Sequence, residues 1–309
     1  MPTRIANLGR LRLEMFGTLA LLIGLATLAF AALTRFVNPV AAVVLAVAFN
    51  ALMWLASPSL IELMYRAREL KPSEAPWLHE ALERISAESG IRKPKLVLVP
   101  LSVPNAFAYG TPLSGYRVAV TEGLLSTLSP EEVEAVLAHE VGHIAHGDMQ
   151  VMMLASTLPA IFYHIGRSLY YSSYLGDRDD RGQLVLAGGL AIALATVLWL
   201  VSLRLSRLRE YYADAHAATV LPGGARRLQD ALVKIAAHSN PGLGARVAQA
   251  RPLFISDPML PPVDPAELKR ALMEKRPTLS ERILGIFSTH PNIVDRLRVL
   301  EDIARQLGQ

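Results

Sequence analysis

Residues 129–148 read SPEEVEAVLAHEVGHIAHGD, and the rest of the chain is best understood outward from them. Ser129 can cap a helix, Pro130 suits its first position, and Glu132 completes a capping box. Val133, Val136, Leu137 and Val141 keep a helical period. On that helix His139 and His143 share one face and can grip a single metal ion. Glu140 stands beside them, where a carboxylate can take a proton from water. Gly147 and Asp148 mark the helix end or a break. The pentad His-Glu-Val-Gly-His therefore points to zinc hydrolysis. The competing reading is a metal-free helix with two exposed histidines, and the capped, amphipathic setting argues against it.

A catalytic zinc site normally takes three protein ligands and leaves one position open. The chain has no cysteine, so disulfides, thiolate ligands and cysteine nucleophiles are excluded. The third ligand must be His or a carboxylate. Glu210, within Arg-Glu-Tyr-Tyr-Ala-Asp at 209–214, is the best candidate. Asp214 lies one helical turn further on the same face and can accept the free N–H of a ligating imidazole. Taken without the pentad, these residues would read as a solvated charged helix face. One zinc ion per chain is expected.

The surroundings of the pentad look membrane-embedded. Of 309 residues, 52% are apolar and 19% charged, against roughly 45–50% and about 25% in soluble domains. The net charge of +4 is explained by basic residues flanking apolar spans, and no nucleic-acid partner is expected. Four stretches lack charge: 15–34, 36–61, 149–166 and 183–203. A span needs about 20 apolar residues, so the first, second and fourth qualify. The third is shorter and holds Pro159 and His164; it reads either as a span or as a buried or re-entrant helix. A cleaved signal peptide ending near Ala29 and Ala31 is the alternative for the first stretch. Arg4, Arg10 and Arg12 precede the first span, Arg66, Arg68 and Lys71 follow the second, and Arg204, Arg207 and Arg209 follow the fourth. This asymmetry puts both termini and the polar segments in the cytoplasm. Trp54, Trp199, Tyr170, Tyr171 and Tyr174 read as interfacial anchors.

The organisation expected is a transmembrane hairpin over 1–61 (spans about 15–34 and 37–60), a polar block over 62–148, a second helix pair over 149–203 (about 149–166 and 183–203), and a polar block over 204–309. In the first block Ser73 could cap a helix to Glu88. Strands are expected at Lys95–Val99, 105–109 and 116–121, the last two joined by a turn-rich 110–115. In the second block the helix of span four continues to Val220, Pro222 and Gly223 break it, and helices follow at 226–238, 264–275, 279–287 and 293–307. Residues 239–264 read as a loop. The fold class is thus an α-helical multi-pass membrane protein with a mainly α (α+β) domain and a small sheet before the zinc helix. His146 reads as a solvated residue at the helix end and His216 as pointing away from the site. Geometry tethers the site to the membrane: Glu210 follows Arg204 by six residues, roughly 9 Å of helix.

These features together resemble the HtpX-type membrane zinc endopeptidases, relatives of the CAAX prenyl endopeptidases. Residues 139–148 are similar to that family's metal helix and 209–214 to its third-ligand segment. Pro104, Asn105, Ala106, Phe107 and Ala108 resemble the strand beside its substrate. Thr289, His290 and Pro291, with Arg296 six residues after the histidine, resemble its C-terminal motif; Asn292 stands where many relatives have a second proline. The resemblance implies a zincin-like (gluzincin) metalloprotease domain in the cell membrane. It implies His139, His143 and Glu210 as zinc ligands and Glu140 as general base. His290 and Arg296 would stabilise the oxyanion, or else serve only structure. Asn105, Ala106, Phe107 and Ala108 would offer a strand edge to membrane-protein or unfolded polypeptide substrates, in membrane-protein quality control. Two further classes stay open: a non-catalytic zinc-binding scaffold, and an intramembrane protease, which Glu131, Glu132 and Glu134 ahead of the pentad argue against.

Overall fold

The computed structural model describes residues 39–175, 180–238, 269, 272–274, 288 and 290–309. The span expected at 15–34, its signal-peptide alternative, the loop at 239–264, the helix at 279–287 and Thr289 lie outside the described residues.

The described chain runs α1 (Pro39–Tyr65), β1 (Arg68–Glu69), α2 (Pro76–Glu88), β2 (Lys95–Val99), β3 (Ala106–Thr111), β4 (Gly115–Thr121), α3 (Glu122–Thr127), α4 (Pro130–Ala145), α5 (Asp148–Leu175), α6 (Arg181–Val220), α7 (Gly224–Ala237) and α8 (Ile293–Leu307). α4 starts as its sequence dictates. Ser129 Oγ accepts from Glu132 N, and the Glu132 carboxylate accepts from Ser129 N at 2.8 Å. It ends at Ala145, and Gly147 turns the chain at φ +68° straight into α5.

Some expectations shift. α2 begins at Pro76 with Ala75 before it and no side-chain cap, so Ser73 does not open it. Proline at the first position presets the helical φ and dispenses with the cap. The hairpin strands extend further than expected, because β3 and β4 pair in register from Ala106 opposite Val120 to Thr111 opposite Gly115. β1 and α3 carry too few residues to show a period and escape notice in the sequence. Asn292 replaces the missing proline with a cap of its own, its Oδ1 accepting from Val294 N at 3.0 Å at the start of α8.

The sheet has order β1-β2-β4-β3, with β2 parallel to β4 and β3 antiparallel to β4. β3 is therefore an outer strand. Side-chain alternation gives the sheet two buried faces. Leu96, Ala106, Val118 and Val120 pack with Val136, Leu137 and Val141 of α4. Val97, Val99, Phe107, Tyr109 and Ala119 pack against Ile61 and Tyr65 at the end of α1. The first core continues through α2, α7 and α8.

α5 and α6 form a second body, cored by Phe162, Ile165, Leu169, Ala191, Ala195 and Leu198. Gly166 and Gly188 bring the two backbones together, since a Cβ on either would lie under 3 Å from the other's carbonyl oxygen. α6 has 40 residues without an internal proline. Among the described residues it is the one helix long and apolar enough to cross a membrane. At about 1.5 Å per residue it is roughly 60 Å long, about twice a hydrocarbon core. A hydrocarbon core could hold only about half of it, and the second half carries Glu210 and Asp214 into the first core.

Candidate metal centre and cleft

Two helices meet at the site. α4 presents His139, Glu140 and His143; α6 presents Glu210 and Asp214. His139 Nε2 and His143 Nε2 face each other at 3.2 Å. Glu210 Oε2 lies 3.7 Å from His139 Nε2, and Glu210 Oε1 lies 3.7 Å from His143 Nε2. A tetrahedral zinc with bonds of about 2.0–2.1 Å needs ligand atoms about 3.3–3.4 Å apart. The two imidazoles meet that spacing and each Glu210 oxygen lies 3.7 Å from one of them; with one atom taken from each residue, the three ligand atoms lie within 4.8 Å of one another. Glu210 Oε2 is buried and makes no hydrogen bond to the described residues; its nearest charged neighbour is Arg296 Nη1 at 3.4 Å, and a metal ion on the site would add the coordination it lacks. The donor set, two imidazoles and a carboxylate, suits zinc.

The ring orientations are held from behind. Asp214 Oδ1 stands 3.0 Å from His139 Nδ1, and Asp148 Oδ2 stands 2.5 Å from His143 Nδ1. Each Nε2 is thereby turned towards the centre. The carboxylates are in turn clamped. Arg296 donates from Nε and Nη2 to the two oxygens of Asp214 at 2.9 and 2.5 Å. Its Nη1 is 3.4 Å from Glu210 Oε2. Arg209, also buried, pairs with Asp148 at 2.7 Å. Neither Asp148 nor Arg209 declares itself in the sequence as a site residue. Asp148 comes five residues after His143, off the helical register, and reaches back only because Gly147 turns the chain.

Burial and charge set the ionisation. Burial, opposed by His139 and reinforced by Glu210, pushes the Glu140 carboxyl up to about 7. A carboxyl with that pKa is poised to exchange protons near neutrality. Burial and the His139 charge hold His143 neutral, with its pKa well below the usual histidine value. Burial would lower His139 too, but the Asp214 and Glu210 carboxylates outweigh it and raise it to about 9. Burial would raise Glu210, yet His290, His139 and Arg296 hold it ionised, well below the usual range.

A cleft opens over these groups. Ala106, Phe107 and Ala108 form one wall, Met149, Met152, Ser206 and Arg209 another, with His290 at the rim. Ala108 N donates to Glu140 Oε2 at 2.7 Å, so the outer strand and the general base meet. Asn105 sits just outside β3; its carbonyl oxygen accepts from Thr121 N at 3.0 Å and fixes the strand's start. His290 Nδ1 lies 3.2 Å from Glu210 Oε1. Arg296 does not line the cleft: it is 1% exposed and lies behind Glu210 and Asp214. His146 is half-buried rather than solvated, packed on the Tyr212 ring at 4.1 Å and 3.1 Å from His216 Nδ1. His216 fills the space above Gly142 and reaches Ser89 Oγ at 2.9 Å.

A His-Glu-x-x-His helix joined by a glutamate from a second helix, under an open strand edge, defines a metallopeptidase of the two-histidine, one-glutamate type. Comparison with known proteins agrees. The Peptidase family M48 profile matches residues 72–304, and the chain belongs to that family. A Protease HtpX homolog of Aeropyrum pernix is 40% identical, over 85% of this chain and 86% of its own length. Homologs of the same name from Thermoplasma volcanium (35% identical, 84% and 82% covered) and a Sulfurihydrogenibium species (32%, 93% and 95%) match as well. The crystal structure of S. mikatae Ste24p shares the fold: TM-score 0.56 at 20% identity, covering 96% of this chain and 67% of that one.

Proposed function

We propose that this metalloprotease uses zinc to hydrolyse peptide bonds of membrane or misfolded proteins at the cytoplasmic face of the cell membrane, as part of membrane-protein quality control. In this reading α1, α5 and α6 cross the bilayer together with residues 15–34, and both termini are cytoplasmic. The observation that carries it is the convergence of His139, His143 and Glu210 beside Glu140, with one of those ligands riding on the helix apolar enough to cross a membrane.

His139, His143 and Glu210 would hold the zinc, which when bound supplies Lewis acidity to the peptide carbonyl. Glu140 takes a proton from the attacking water and returns it to the leaving amine. His290 at the cleft rim can donate to the developing oxyanion. Arg296, expected from the family resemblance to donate there too, instead positions Asp214 and Glu210. The outer edge of β3 holds substrate as an added strand, through backbone groups that impose little sequence preference.

Glu140→Gln tests the reading. It removes the base and keeps the shape, so cleavage of an unfolded membrane substrate falls by about 10²–10⁴-fold. Zinc content, measured by metal analysis of the purified protein, stays the same. Cleavage at the parental rate would overturn the mechanism.

A further inference from the structure

The path of β3 relative to the apolar helices says where a substrate comes from. Asn105 O accepts from Thr121 N. In an antiparallel ladder the odd positions of β3 then bond to β4, and the even positions turn outward. Ala108 does so, its N–H reaching Glu140 at 2.7 Å.

Two helices gauge height along this strand. Tyr65, at the far end of α1, packs on Phe107 with ring centroids 5.8 Å apart. Glu62, nearer the apolar part of α1, pairs at 2.6 Å with Arg117, the ladder partner of Tyr109. On the other flank Met149, at the foot of α5, lines the cleft with Ala108. One residue further into α5, Gln150 donates to the hydroxyl of Tyr116, the ladder partner of Gly110. Both helices give the same direction: from Ala106 to Thr111 the strand runs away from the polar core and towards the apolar helices. It ends in a turn at Pro112, Leu113 and Ser114. Leu113 is 81% exposed there, more than any other large apolar residue among those described.

We propose that Leu113 is seated in the bilayer, and that the open edge of β3 is a ramp leading polypeptide from the lipid to Glu140. The inference rests on the reading of the chain as a membrane-bound zinc endopeptidase. The bilayer is the occupant of this tip because α1 and α5, which flank the hairpin, carry exposed apolar side chains, Leu52, Leu55 and Leu60 on one and Leu154 and Tyr163 on the other. Antiparallel addition is the more stable pairing. A strand added that way runs from Leu113 towards Ala108 in its own N-to-C direction. The preferred substrate is therefore a polypeptide whose membrane-embedded segment lies N-terminal to the scissile bond. Five residues at about 3.4 Å each put the cut roughly 17 Å from the lipid.

The test reconstitutes the full chain with zinc in liposomes, beside three substrates that share one unfolded segment. In the first the segment follows a transmembrane span, in the second it precedes the span, and in the third it is free. The segment faces the enzyme's polar domain in both anchored forms. The first should be cut about tenfold faster than the second, about five residues beyond the span. Leu113→Asp should slow cleavage of the first by about tenfold and leave cleavage of the free segment unchanged. Equal rates for the two anchored forms, or an unaffected Leu113→Asp variant, overturn the ramp while leaving the protease reading intact. Failure to cut even the free segment overturns both.

Discussion

At the scale of the residue, the site is a set of side chains each held by another. His143 keeps its orientation through Asp148, and Asp148 is held by Arg209. Asp148→Asn keeps the size but weakens the acceptor, and zinc affinity should fall by about 10–100-fold in chelator competition. His216 offers a pH prediction. Burial, with the His139 charge adding, lowers its pKa to about 4 in the fold, against about 6.5 unfolded. The unfolded chain thus binds the extra proton first. Stability from neutral His216 is complete above about pH 6.5 and is lost as pH falls towards 4, about 2 kcal/mol by pH 5. Thermal unfolding of His216→Gln should show a shallower loss across that window. Residue chemistry is also the most legible part of the sequence: the pentad declares itself by helical spacing, and Glu210 and Asp214 become legible once the pentad calls for a third ligand. Asp148 and Arg209 do not, because they act across a chain reversal that no period records. Arg296 shows only its charge in the sequence, and its burial between Asp214 and Glu210 depends on how α8 packs on α6.

At the scale of the element, signals with local causes are legible and those set by packing are not. The cap of α4, the break at Gly147 and the break after Val220 all follow from single residues. α5 outruns the apolar stretch 149–166 and reaches Leu175, with Leu169 in the core it shares with α6 and Ser173 buried beyond it. The α5–α6 crossing depends on Gly166 and Gly188. Gly188→Val would force atoms within 3 Å of the Gly166 carbonyl. Overpacking of this kind costs about 1–3 kcal/mol, so the variant should unfold at lower temperature in detergent. Because Asp148 and Arg209 lie at the foot of the same helix pair, its zinc affinity should drop too. A variant with parental stability and affinity would show that the crossing is dispensable.

At the scale of the whole molecule, a soluble-looking core and a helix pair share one continuous rod. α6 begins among apolar residues and ends inside the core that holds the metal centre. An uninterrupted helix of roughly 60 Å without an internal proline curves gently but has no proline kink at which to absorb a change at one end. With α6 across the bilayer, as proposed, it would make the enzyme a gauge of bilayer thickness. Where the hydrocarbon is thinner than the apolar length of α6, the helix tilts to hide its surplus, and the tilt is delivered to Glu210. Proteolysis of an anchored substrate should therefore peak in bilayers near about 30 Å of hydrocarbon and decline in shorter-chain lipids, which a series of liposomes differing only in acyl length would measure. Activity flat across that series would mean the rod is decoupled at the surface. A protease so built would tie its own rate to the mechanical state of the membrane it serves.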